Sequence, residues 1–183
     1  MYLALVLIIS FLSLGFAGYL AWETLNRDDG TPEMRKISDA IKAGAEAFLR
    51  RQNKTIAILA VALGALMLAV YGAIQGKWDT AFQTALSFLL GALCSGLAGY
   101  IGMYISIRAN IRTASAARRS LNEALQTALR GGAVSGITVV AMSLVGVGGL
   151  FILMGGGGSD VEVIKSIPLK IVGFGFGASF VAL

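Results

Sequence analysis

Histidine is missing from the 183 residues, cysteine occurs once, proline twice, and only 14% of the residues are charged. Each shortage excludes a class of chemistry. Without imidazole the chain lacks the usual general base near neutral pH and the commonest metal ligand. The lone Cys94 cannot close an intrachain disulfide or complete a thiolate metal cluster, and reads as a buried, inert thiol. Scarce charge, 56% apolar residues and a mean hydropathy of +0.77 exclude an ordinary water-soluble domain.

The charge that is present avoids four stretches. Residues 1–22, 55–76, 80–107 and 131–159 contain no Asp, Glu, Lys or Arg. Each stretch can hold a membrane-crossing helix: from Tyr2 to Trp22 a helix would extend roughly 32 Å, against a hydrocarbon core of about 30 Å. The run 80–107 is longer than the bilayer requires and is expected to tilt or project beyond the lipid. The first run lacks the basic start and the A-x-A site of a signal peptide, so it reads as a retained helix. A fifth apolar segment, 167–183, is broken only by Lys170, which is expected near its start, snorkelling to the surface. That segment reaches Leu183 without a closing polar flank and reads as an incomplete helix. The predicted architecture is an all-α, polytopic transmembrane helical bundle with helices at about 2–22, 55–76, 80–107, 131–154 and 167–183.

Basic residues set a direction. Arg27, Arg35, Lys36, Lys42, Arg50, Arg51 and Lys54 lie in 23–54, and Arg108, Arg112, Arg118, Arg119 and Arg130 lie in 108–130. Only Lys77 falls between helices two and three, and none precedes helix one. The positive-inside bias then places the N-terminus outside and segments 23–54 and 108–130 in the cytoplasm of a multi-pass cell-membrane protein. The net charge of +5 is thus a topology signal; nucleic acid is excluded as a partner because the cations flank membrane segments and lack interleaved aromatic residues.

Both basic segments read as helical. Thr31 suits an N-cap, Pro32 the first helical position and Glu33 the positive end of the helix dipole. Met34, Ile37, Ile41 and Phe48 follow at helical spacing opposite a charged face, giving an amphipathic helix over about 31–54. The second segment, 108–130, is expected to continue helix three.

Within the apolar runs, small residues recur every fourth position: Gly91, Ser95 and Gly99, with Ala92 and Gly96 beside them, and Gly132 and Gly136 on helix four. Such lines allow close backbone approach between membrane helices, so helix three is predicted to be an inner one. The four runs hold no ionisable group that could relay a cation; Ser10, Ser13, Thr84, Ser87, Ser95, Ser106, Ser135, Thr138 and Ser143 read as packing or back-bonding residues. Gly76-Lys77-Trp78 and Gly173-x-Gly175-x-Gly177 lack the strand, turn and lysine of a phosphate loop. Asp28, Asp29, Asp39, Glu46 and Glu123 are outnumbered by bases and read as a solvated face rather than a magnesium site. Gly155 to Gly158 reads as an extracellular turn.

Four stretches carry a resemblance: Met34 to Ile56 (MRKISDAIKAGAEAFLRRQNKTI), Gly99 to Ala117 (GYIGMYISIRANIRTASAA), Leu129 to Val140 (LRGGAVSGITVV) and Gly173 to Leu183 (GFGFGASFVAL). Together and in this order they resemble the N-terminal part of the ion-translocating membrane-bound pyrophosphatases. The resemblance implies that residues 1–183 are the N-terminal transmembrane portion of a single membrane domain, the first four helices and an incomplete fifth of a larger 16-helix bundle. It further implies hydrolysis of cytoplasmic pyrophosphate coupled to export of protons rather than sodium, magnesium as cofactor, and a homodimer. The family's lysine and acidic motifs for magnesium pyrophosphate have no counterpart in these stretches. No catalytic, cofactor-binding or metal-binding residue is therefore assigned, and the chain alone is expected to be inactive. A proteolipid ring subunit would need a mid-membrane carboxylate; a small complete scaffold or assembly protein is the alternative reading.

Overall fold

The computed structural model describes residues 2–76, 78–158 and 160–182. Lys77 and Leu183, on which part of the charge bias and the end of the fifth helix fall, lie outside the described residues. Among the described residues the elements are α1 (Tyr2–Leu25), α2 (Pro32–Gln75), α3 (Trp78–Ala117), α4 (Leu121–Leu153) and α5 (Val161–Ala182). All five are long and apolar enough to cross a membrane. The protein is an all-α transmembrane bundle, as hydrocarbon demands, because a helix satisfies its own backbone where no water can.

The helices outrun the charge-free stretches. α2 is continuous over 44 residues, so the amphipathic segment and the apolar run belong to one helix. Its start follows from local chemistry: Thr31 Oγ1 accepts from the Met34 amide at 3.4 Å, Pro32 opens the helix and Glu33 lies in its first turn. α3 carries past Arg108 only as far as Ala117. There the chain turns, and Ser120 Oγ accepts from the Glu123 amide at 3.1 Å to open α4, so residues 121–130 belong to the next helix. α5 begins earlier than the apolar pattern suggests because Asp160 Oδ1 accepts from the amides of Glu162 at 3.0 Å and Val163 at 3.4 Å. Lys170 therefore sits in the interior of α5, half-buried, and not near its start. Gly30, at φ +81°, takes the left-handed turn between α1 and α2 that a side chain would strain.

The described chain forms two compact units. The first gathers Met1–Ser10, Asn53–Leu97 and Met142–Leu183, less the undescribed positions. Its core is Ala60, Phe88 and Ala92, with Leu63, Met67, Leu89, Phe180 and Val181 packed around them. α5 meets α3 with almost no side chain between them: a Cβ on Gly173 would strike the Thr84 carbonyl, one on Gly177 the Phe88 carbonyl, and one on Gly91 the Phe174 carbonyl. Gly91 thus packs as its position in the stripe suggests, and a Cβ on Gly96 would lie 3.8 Å from Val181. Gly173 and Gly177 join them as the matching small residues on α5.

The second unit comprises Phe11–Gln52 and Ala98–Ala141. Leu20, Ile105 and Val134 form its core, lined by Ala21, Leu25, Ala133 and Ile137. Here α4 packs through a neighbouring line of residues to that read from the sequence. Gly131 abuts Ala109, Ser135 abuts Gly102, and Val134, Thr138 and Ala141 are buried, whereas Gly132 and Gly136 have nothing within 4 Å of a Cβ. Gly99 is likewise open. Adjacent glycines at 131 and 132 mark two possible faces, and the spacing alone cannot choose between them.

Gly177→Ala should destabilise the chain in detergent micelles by about 1–3 kcal/mol, because the added methyl meets backbone that cannot rotate away. Gly175→Ala, whose Cβ has open space, should stay within about 0.5 kcal/mol of the native chain in the same denaturant titration.

Candidate functional site

Polar side chains of the second unit gather where α1 ends and α4 begins. The last carbonyls of a helix have no intrahelical donor. For α1 the donor comes from α3: Arg112 Nε and Nη2 give hydrogen bonds to the Leu25 carbonyl at 3.1 and 2.6 Å. Two residues back, Glu23 accepts from Arg27 Nη2 at 3.1 Å and is paired with Arg130 of α4. Arg27 Nη1 also donates to the fully buried Thr127 Oγ1 at 2.7 Å.

Asp28, just past α1, is the second node. Its Oδ2 accepts from Ser115 Oγ at 2.5 Å and from Arg119 Nη1 at 2.8 Å, while Oδ1 accepts from the Gly30 amide at 3.2 Å. These bonds favour the carboxylate, and Ser115 followed by Arg119 holds the Asp28 pKa down at about 2. Arg119 is shared with Glu123 through Nη2 at 2.6 Å and Nε at 2.9 Å, and the two carboxylates push its own pKa up. Further along, Arg35 pairs with Asp29 at 3.0 Å and Arg108 with Glu46 at 3.2 Å.

The arrangement is suited to holding segments together. A carboxylate with a pKa near 2 is a poor base at neutral pH, and each arginine of the two nodes is already bonded to an acid or a carbonyl. Among the described residues no three His, Cys, Asp or Glu side chains lie together as a metal ion would require. The described residues therefore do not fit magnesium.

Several sequence readings change in this light. Asp28, Asp29, Glu46 and Glu123 keep exposed or half-exposed side chains, as the solvated face read from the sequence requires, and each is in addition bonded to an arginine, three of them across turns or between helices. Asp39 alone of that group has no ion pair among the described residues. Glu23 escaped notice although its spacing of four to Arg27 was a visible signal. In the apolar runs, Ser10 donates to the Val6 carbonyl at 2.7 Å, Thr84 to Thr80 at 2.9 Å and Ser87 to Gln83 at 2.8 Å, so these hydroxyls are satisfied within their own helices. Cys94 is only half-buried.

The sequence pattern of the inorganic H+ pyrophosphatase family matches residues 11–183. The chain is 48% identical over 163 residues to a K(+)-insensitive pyrophosphate-energized proton pump of Caldanaerobacter subterraneus, covering 86% of this chain and 23% of the relative. It is 47% identical to a second such pump of Moorella thermoacetica, covering 94% of this chain and 24% of that one. A putative K(+)-stimulated pyrophosphate-energized sodium pump of Bacteroides thetaiotaomicron is 34% identical, with 98% of this chain and 25% of the relative covered. The chain thus spans about a quarter of the length of these relatives.

Because the folded pKa of Asp28 lies below its ordinary 3.8, its contribution to stability is complete above that value and is lost as the pH falls toward about 2. A carbon-13 titration of the Asp28 carboxyl in micelles should show a midpoint near the lower figure. In Ser115→Ala the midpoint should move back toward 3.8, since the serine is the largest cause of the shift.

Proposed function

The chain belongs to the inorganic H+ pyrophosphatase family, and from that premise we propose that it supplies the first membrane helices of a pyrophosphate-energised proton pump. The match of residues 11–183 to the family, together with the identity to proton pumps about four times as long, carries this reading. In the whole protein, pyrophosphate would be hydrolysed on the cytoplasmic side with magnesium as cofactor, and protons would be exported across the cell membrane. The greater identity to the proton pumps than to the sodium pump favours protons. The protein would work as a homodimer.

Within that pump these five helices are framework. Glu23, Asp28 and Glu123 are committed to arginines, Ser10, Thr84 and Ser87 bond back to their own helices, and the magnesium ligands would belong to other parts of the protein. α4 supports the reading from another side. Leu121, Leu125, Leu129, Gly132, Gly136 and Val140 share one line of that helix and are all exposed, a face that further helices of a larger bundle can cover.

Membrane vesicles holding only this chain should hydrolyse no pyrophosphate above background. Co-expression with the remaining three quarters of the Caldanaerobacter relative should restore hydrolysis and acidification of the vesicle interior, without a requirement for sodium. Turnover by the chain alone, or no recovery when the partner piece is inserted, would contradict the proposal.

The charge bias supports an orientation with residues 23–54 and 108–130 inside the cell. In a Cys94→Ser background, Gly157→Cys should react with a membrane-impermeant maleimide on intact cells, and Ala43→Cys should react only after permeabilisation. The reverse pattern would invert the topology.

A further inference from the structure

A second polar patch lies in the same unit, between α2 and α3. Arg108 of α3 lies over the Tyr104 ring, 3.4 Å from its centroid, and donates to the Tyr104 carbonyl at 3.1 Å. It also reaches Glu46 of α2 at 3.2 Å. Tyr100 stands one turn further along α3, with ring centroids 6.3 Å apart. Consecutive helices run in opposite directions, so Arg50, four residues beyond Glu46 and on the same side of α2, is level with Tyr104, four residues before Arg108. Arg50 is exposed and has no ion pair among the described residues.

The patch lies at the hydrocarbon boundary. The charge-free run of α3 ends at Ile107, that of α2 begins at Thr55, and no acid occurs in residues 47–78. Glu46 pairs with the largely covered Arg108, and the exposed Arg50 carries the excess positive charge. Tyr100, Tyr104 and Ile101 remain 50%, 38% and 39% exposed, and they lie from the cations toward the membrane interior. Exposed tyrosines at this depth are amphipathic, with rings in the acyl region and hydroxyls at the headgroups. Arginine is the side chain best shaped to bind a phosphate diester through two donors.

We propose that Arg50, Arg108, Tyr104 and Tyr100 form a seat for one anionic phospholipid, its phosphate on the arginines and its acyl chain along the tyrosines and Ile101. A soluble anion would use the cations but gain nothing from the apolar continuation into the bilayer. This site is independent of the pump reading and of the direction in which the chain is inserted.

The full chain in detergent micelles can be titrated with phosphatidylglycerol or phosphatidylcholine and read by native mass spectrometry. The first phosphatidylglycerol should bind at least about fivefold more tightly than phosphatidylcholine, and Arg50→Gln should lower its affinity roughly fivefold, in keeping with one cation removed near a charged surface. Arg50→Lys should keep most of the preference. Lys36→Gln removes the same charge about 21 Å further along α2 and should change nothing. Equal losses in Arg50→Gln and Lys36→Gln would mean diffuse attraction and overturn the seat, as would an unchanged affinity in Arg50→Gln. Displacement of the lipid by millimolar inorganic phosphate would also overturn it, identifying a site for free anions.

Discussion

The contact on which the first unit depends is backbone against backbone, where Gly173 and Gly177 of α5 lie on the carbonyls of Thr84 and Phe88 in α3, and Gly91 receives the carbonyl of Phe174 in return. In water the burial of apolar side chains would drive such an association. In lipid it contributes little, since a leucine is as well solvated by acyl chains as by another leucine. What remains is dispersion between closely approaching surfaces, and that approach is possible only where a side chain is absent. Phe88, nearly inaccessible, is held in place on this account: α5 closes over it and brings Phe180 to 6.0 Å between ring centroids.

The second unit solves a different problem with the residues that hydrocarbon rejects. Charge is displaced to the ends of the apolar runs, and there Glu23, Asp28 and Glu123 engage Arg27 just past α1, Arg119 in the turn between α3 and α4, and Arg130 of α4. Arg112 donates through Nε and Nη2 to the Leu25 carbonyl, so the end of α1 is capped by another helix. Individually, exposed ion pairs contribute little. Shared nodes such as Asp28, which accepts from Ser115, Arg119 and the Gly30 amide together, fix geometry more than they add stability. Such nodes hold the charged ends in a defined arrangement, which suits a framework for chemistry performed by other residues.

The spans were legible because charge is excluded from hydrocarbon, and four gaps in the charge pattern mark four of the helices. Helix ends were not, for the same reason: a gap records where lipid begins, while α2 continues through Lys54, Arg51 and Arg50 to Pro32 because nothing in that stretch breaks a helix. The start of α5 was set by the side chain of Asp160, and the break at 118–120 by Ser120 opening α4, local hydrogen bonds that hydropathy does not register. Packing faces were half legible. Gly91 met its partner, whereas on α4 the paired glycines 131 and 132 offered two faces and the packed one runs through Gly131 and Ser135. The Asp28 node was the least legible part, because Ser115 and Arg119 lie 87 and 91 residues from Asp28 and only the folded chain brings them together.

If close backbone packing holds α5 to α3, the amides along that seam should be the slowest to exchange in the first unit. Hydrogen–deuterium exchange of the chain in bicelles tests this directly. Residues 173–181 should be protected well beyond the opening turns of the same helix at 161–166, and residues 84–92 of α3 should share that protection. Exchange of 173–181 at the rate of 161–166 would mean that α5 rests in lipid without being held, and the account of the bundle would fail.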